Sequence, residues 1–282
     1  MVRTRAQERA EAAPDQKPAK VEERVSPKHA AEKKKQVKKP KERVEKQEIP
    51  KPVAKPAEHK PPSGAVRNEI HQLVNEQGSL PLQGIGLEFP LASRSATLLA
   101  LLLEALLKAA PISHKNADQT LKGLLKHDYH DINVLKRTTW DERSDLLHEV
   151  GYQRYNQRVA TELGGMVEWL MDKYDGDLDN LYKQTSGSRS KIRSALKQIK
   201  GIGDLGVDIF LSSVQPLWPE VAPFIPERSL VTAEHIGIGT DMDVLFDEVG
   251  RDPKQMCMLS RALTKIRLEK EEKEYTVHEE EV

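Results

Sequence analysis

Residues 188–215 read SRSKIRSALKQIKGIGDLGVDIFLSSVQ, and this stretch decides the predicted fold. Two segments of helical period flank a connection of only four residues, Lys200-Gly201-Ile202-Gly203. So short a connection forces a sharp reversal, in which Gly201 and Gly203 can take positive φ without a Cβ clash. We expect Ile202 to anchor the turn and Gly206 to let the two helices pack tightly. The sequence therefore predicts a tight helical hairpin.

The hairpin also carries the charge expected of a phosphate-binding element. Residues 189–200 contribute five basic and no acidic residues, namely Arg189, Lys191, Arg193, Lys197 and Lys200. Backbone amides at the start of the second helix favour an anion, and glycines leave room for a phosphate oxygen. The predicted DNA-backbone contacts are Arg193, Lys197, Lys200, Gly201, Ile202, Gly203 and Gly206. The alternative is an ordinary helix corner with a solvated basic face.

A second Gly-Ile-Gly sequence lacks the charge expected of a phosphate-binding turn. Residues 237–239 have the same glycines, but Asp241 and Asp243 follow them, where a phosphate would lie. We therefore predict only a helix end and a loop at this position.

Composition separates a basic tail from the rest of the chain. Up to Pro62 there are 18 basic residues, 10 acidic residues, 9 of the 17 prolines and no aromatic residue. Because the whole chain has 44 residues of each sign, the tail is +8 and the remainder −8. Such a composition predicts disorder over residues 1–62, and its cluster Lys33–Lys41 is either a nuclear-import or nucleic-acid-binding segment or a solvated spacer.

The remaining 220 residues predict an all-α fold, because helical periodicity dominates and alternation of β-branched residues is short. A helical domain is expected over residues 63–268, followed by an acidic tail over residues 269–282. The predicted helices are 92–110, 116–126, 139–150, 153–174, 178–183, 190–199, 204–214, 228–236, 241–249 and 253–270. The first of these is apolar on nearly all sides, which indicates a buried central helix.

Some classes of protein are excluded or disfavoured. A single cysteine, Cys257, excludes a disulfide framework and a four-cysteine metal or iron–sulfur site within this chain, and we expect no cofactor. The most apolar run, residues 98–107, is far shorter than the roughly 20 residues of a membrane span. We also find no secretory signal at the N-terminus.

Residues 196–206, LKQIKGIGDLG, closely resemble the hairpin of the helix-hairpin-helix (HhH-GPD) DNA glycosylase superfamily, of the endonuclease III-like kind. Residues 101–110, LLLEALLKAA, resemble that family's buried helix, and residues 150–156, VGYQRYN, its Gly-containing segment before a long helix. The resemblance covers about residues 94–235. It implies a two-lobed helical bundle, with duplex DNA across the junction and a damaged base flipped into the cleft.

Departures from the family pattern fall on the catalytic positions. Leu205 stands where bifunctional members carry a Schiff-base lysine, so the resemblance implies no covalent lyase step. Pro226 aligns with the family's aspartate, and the adjacent Glu227 is the candidate catalytic carboxylate. The alternative for Glu227 is a helix-start glutamate that interacts with the helix dipole.

Histidine and tryptophan side chains supply two further candidates. His127 and His130 lie three apart beside carboxylates, a spacing that suits a metal, but we predict a polar loop in which Asp131 caps a helix. Trp140 and Trp169 are predicted in the core and Trp218 in a base-binding cleft.

These observations predict a nuclear, monomeric protein of base-excision repair that binds double-stranded DNA and removes a damaged base by hydrolysis. The alternatives are a glycosylase-like DNA-binding protein without catalysis and a helical protein-interaction module. The damaged base and any protein partners are not specified by the sequence.

Overall fold

The computed structural model describes residues 64–270 and Tyr275. Every regular element in these residues is helical and none is a strand, which confirms the all-α prediction. The predictions for residues 1–62, and for the acidic tail apart from its first two residues and Tyr275, lie outside this part of the chain.

Twelve α-helices make up the described part of the chain. Their bounds are α1 Gly64–Glu76, α2 Arg94–Ala109, α3 His114–Lys126, α4 Ile132–Leu135, α5 Trp140–Glu149, α6 Asn156–Tyr174, α7 Leu178–Thr185, α8 Arg189–Leu196, α9 Asp204–Val214, α10 Glu227–His235, α11 Met242–Glu248 and α12 Pro253–Glu269. Short 3-10 turns lie at Gln83–Ile85 and Pro219–Val221. All ten predicted helices are present, whereas α1 was not predicted and only the N-cap of α4, Asp131, was predicted.

Polar side chains fix several helix starts. Thr139 Oγ1 accepts a hydrogen bond from the Glu142 amide at 3.2 Å, and the Glu142 carboxylate accepts one from the Thr139 amide at 2.7 Å. This is the reciprocal capping box that the sequence predicts at the start of α5. Ser93 and Ser113 accept equivalent bonds at the starts of α2 and α3.

Buried apolar side chains form two clusters. The larger one surrounds α2, whose residues 97–107 are all buried, and includes side chains of α3 and α5–α9. The smaller one joins α1 with α10, α11 and α12, and Tyr275 belongs to it. Helix α12 packs against α9, and Ser212 and Ser260 share a 2.7 Å hydrogen bond there, so the two clusters meet along these helices.

Gly206 lies where α9 crosses α2. A Cβ at this position would be 3.4 Å from Ala109 Cβ and 3.6 Å from the Ala105 carbonyl oxygen. The sequence predicts that Gly206 lets the hairpin helices pack against each other. The nearest atom to that Cβ would be Ile202 Cγ2 of the hairpin connection, at 3.2 Å, and the next two belong to α2, because that face of α9 points into the core.

Glu104 forms a buried charged cluster within this helical contact. It is 2% exposed and accepts hydrogen bonds from Lys108 at 2.8 Å and from Arg261 of α12 at 3.3 Å. Lys108 also pairs with Asp118 of α3 at 2.8 Å. Burial alone would raise the pKa of Glu104, but the charges and hydrogen bonds of Lys108 and Arg261 outweigh it and lower the pKa to about 2.

Cys257 lies beside this cluster on α12. It is fully buried, and its Sγ is 3.9 Å from the Ser213 carbonyl oxygen. Burial raises the pKa of the thiol to about 12.

We predict that Glu104→Gln lowers the free energy of unfolding at pH 7 by about 3 kcal/mol, because it leaves the buried Arg261 charge without its carboxylate and Lys108 with Asp118 alone. The folded-state pKa of Glu104 lies below its unfolded value, so its stabilisation is present above about pH 5 and is lost as the pH falls toward about 2. Denaturant unfolding from pH 7 to pH 3 should therefore show the difference between variant and wild type shrinking with acidity. The exposed Glu168→Gln serves as the control, and a constant difference across this range would contradict the prediction.

Candidate nucleic-acid interface

Helices α8 and α9 occupy the predicted hairpin segment, but seven residues, 197–203, connect them and not the predicted four, because α8 ends at Leu196. Helix α8 ends at Leu196 and α9 begins at Asp204, as the sequence predicts for the second helix. Ile199 and Ile202 are both buried, so the connection is anchored in the core from its inner side. Gly203 and Leu205 are exposed, with Leu205 at 38%.

The two hairpin glycines differ in conformation. Gly201 has φ +96°, and a Cβ there would lie 2.6 Å from Glu162 Cδ and 2.8 Å from Leu106 Cδ1. Gly203 has φ −94° and ψ −164°, and a Cβ there would meet no atom within 4 Å. The prediction of positive φ is therefore wrong for Gly203, because the turn places only Gly201 in the left-handed region.

The first backbone amides of α9 have no acceptor in the part of the chain that the structure describes. The first hydrogen bond into this helix runs from the Val207 amide to the Gly203 carbonyl at 3.0 Å. Among the described residues, no protein acceptor takes the preceding amides, those of Gly203, Asp204, Leu205 and Gly206. Unsatisfied donors at a helix N-terminus can bind an anion.

Acidic residues of α9 compensate two of the hairpin's basic residues. Lys197 Nζ lies 2.9 Å from Asp204 Oδ1, and Arg193 contacts both Asp204, at 3.4 Å, and Asp208. The hydrogen bond and charge of Lys197, with a smaller contribution from Arg193, lower the pKa of Asp204. These pairs were not predicted from the sequence, although Asp204 and Asp208 are spaced four apart on one helix face.

The other basic residues of the hairpin keep their charge available. Lys191 and Lys200 are exposed and make no ion pair or side-chain hydrogen bond within residues 64–270. Arg189 donates a 2.7 Å hydrogen bond to the Pro223 carbonyl, which leaves its charge without a counterion there. Lys200, next to Gly201, is therefore the free cation closest in sequence to the unsatisfied amides.

Glu227 is the first residue of α10, with Pro226 as its N-cap. Its carboxylate is exposed and makes no hydrogen bond or ion pair with any residue that the structure describes. One cavity lies beside Arg67 and His71, and another beside Ser93 and His130. Neither of these two cavities is lined by Leu205 or Glu227.

The tryptophans are partly as predicted. Trp169 is buried, but Trp140 is 41% exposed and donates to Thr161 Oγ1 at 2.9 Å. Trp218 is fully buried and donates to Asp179 at 3.0 Å. The prediction of a core Trp140 and of a cleft Trp218 is therefore wrong, because Trp218 stacks on Tyr182 inside the core and the α5 terminus leaves Trp140 at the surface.

The loop with two histidines is a capped helix start. Asp131 Oδ1 accepts a 2.8 Å hydrogen bond from the Asn133 amide and caps α4, as predicted. No group of three or more His, Cys, Asp or Glu side chains suited to a metal occurs in residues 64–270. At the other Gly-Ile-Gly sequence, α10 ends at His235 and both glycines have φ +83°, so the predicted helix end and loop are confirmed.

Comparison of the chain with protein-family models, curated proteins and solved structures finds no match in any of the three. None of the helices within residues 64–270 is long and apolar enough to span a membrane.

We predict that Gly201→Ala destabilises the protein by about 2 kcal/mol or more, because the new Cβ combines an unfavourable φ with close contacts to Glu162 and Leu106. Gly203→Ala should cost less than about 0.5 kcal/mol, since its backbone is ordinary and its surroundings are open. Denaturant unfolding of the two variants measures the difference. Equal losses of stability in the two variants would contradict the conclusion that only Gly201 requires a glycine.

Proposed function

We propose that this protein binds the backbone of double-stranded DNA through the α8–α9 hairpin and acts in base-excision repair. The unsatisfied amides at the start of α9, beside exposed Lys200, are the observation that carries the proposal. Amides and lysine together provide hydrogen bonds and positive charge for a phosphate oxygen.

Such contacts recognise the phosphodiester chain and not the bases. Glycine amides carry no side chain that could read a base edge, and Lys200 is a flexible point charge. We therefore propose binding with little dependence on sequence and strong dependence on salt. The basic cluster Lys33–Lys41 of the N-terminal tail would add phosphate contacts and supports the proposed nuclear location.

Asp204 opposes this function within the hairpin itself. Its carboxylate is in the first turn of α9, close to the amides, and is held there by Lys197 and Arg193. A phosphate that binds the hairpin would compete with Asp204 for the same cations. The affinity of the native hairpin is therefore expected to be lower than five basic residues would suggest.

We predict that Asp204→Asn raises the affinity for duplex DNA up to about fivefold, because it removes a negative charge from the helix N-terminus and releases Lys197 and Arg193. Stability should fall slightly, since the same carboxylate interacts favourably with the helix dipole. Fluorescence anisotropy with a labelled duplex measures the first effect and thermal unfolding the second. Asp243→Asn makes the same charge change in the first turn of α11, and an equal gain in affinity in this control would exclude a specific role for the hairpin.

Hydrolytic removal of a base is the second candidate function. The observation that favours it is the exposed Glu227 carboxylate, which has no partner within residues 64–270 and is available to stabilise a sugar cation. Leu205 offers no amine for a Schiff base, so any base release would use water. The neutral Pro226, at the position that aligns with the family's aspartate, supports the alternative, a glycosylase-like DNA-binding protein that lacks catalysis.

We predict that borohydride traps no covalent adduct between the protein and duplexes that contain damaged bases, because Leu205 cannot form an imine. If abasic sites are produced, Glu227→Gln should slow their single-turnover formation by about a hundredfold or more while DNA affinity is retained. Binding without abasic sites across a broad panel of lesions would favour the non-catalytic alternative. A trapped adduct would contradict the monofunctional assignment.

A further inference from the structure

A buried carboxylate of α6 lies directly behind the hairpin turn. Glu162 is 4% exposed, and its carboxylate fills the space beside Gly201, where a Cβ would be 2.7 Å from Oε2. Its other oxygen, Oε1, accepts a 2.7 Å hydrogen bond from Arg158 Nε. Arg158 is therefore separated from the hairpin turn by the width of a single carboxylate group.

The ion pair with Glu162 orients the guanidinium of Arg158 but leaves its two terminal nitrogens available. Only Nε is bonded to Glu162, and the side chain is 59% exposed. The two terminal nitrogens donate to no acceptor within residues 64–270. A planar guanidinium held through one edge presents its other edge as a fork that fits two phosphate oxygens.

We propose that Arg158, held in place by Glu162, contacts a DNA phosphate next to the one bound at the hairpin, so that the interface extends from α8 and α9 onto α6. This inference rests on the proposed DNA-binding function and adds to it a residue from a separate helix. Arg158 is the binding residue, and Glu162 is a positioning residue that acts through it.

The contrast with Arg193 supports this assignment. Arg193 is shared between two acidic residues of α9, whereas Arg158 has one buried partner that leaves its terminal nitrogens free. Glu162 is buried, so a ligand that binds Arg158 at the surface does not have to displace it. Arg158 can therefore bind a phosphate without giving up the bond that orients it.

The experiment compares Arg158→Gln with Arg137→Gln in the full chain. Arg137 is exposed, makes no side-chain hydrogen bond in the described residues and carries the same charge, so it controls for net charge. The affinity for a labelled duplex is measured by anisotropy over a series of salt concentrations, and melting temperatures confirm folding. We expect Arg158→Gln to weaken binding several-fold and to reduce the slope of log K against log salt by about 1, the loss of one phosphate contact.

Two further variants distinguish failure of the proposed DNA-binding function from failure of the inference about Arg158. Lys200→Ala should also weaken binding, and if it does while Arg158→Gln behaves like Arg137→Gln, the proposed function survives and this inference is overturned. Absence of salt-dependent DNA binding in the wild type would overturn both. Arg158→Lys retains the charge but not the oriented fork, so we expect only partial recovery, and full wild-type affinity in this variant would overturn the positioning role of Glu162.

Discussion

The close approach of α2 and α9 at Gly206 is the constraint on which the candidate interface depends. Ala105 and Ala109 of α2 meet Gly206 without an intervening side chain, and any Cβ at this position would be within 3.4 Å of Ala109. Small residues on both helices bring the backbones together, and this contact fixes the position of α9 against α2. Because Ile202 and Leu106 pack beneath the same region, the exposed amides of the hairpin stand on a rigid base.

The sequence predicts most of the helical framework because local signals mark it. The capping box at Thr139, the prolines and glycines at helix ends, and the apolar periodicity of α2 all act within a few residues. Helix α1 escaped prediction because it follows a proline-rich tail and its buried positions, such as Ile70 and Leu73, contact the distant α12. Helix α4 has only four residues, too few for a periodic pattern, so only its N-cap residue Asp131 was predicted.

The candidate site was less predictable, because its chemistry depends on contacts between elements. The position of the turn and its basic residues follow from the sequence, but the pairing of Lys197 with Asp204 depends on how α8 lies against α9. For a similar reason, Trp140 is exposed and Trp218 is buried, the opposite of the prediction. Both lie at helix ends, where the arrangement of neighbouring helices, and not periodicity, decides burial.

Cys257 provides a natural probe of the separation of α12 from α9. Cys257 is enclosed where α12 meets α9, and with its pKa raised to about 12 almost none of it is thiolate at neutral pH. A thiol reagent can therefore modify it only after these two helices separate. Its alkylation rate would report how often they part, while a second cysteine placed on the hairpin surface could carry a label without removal of the native one.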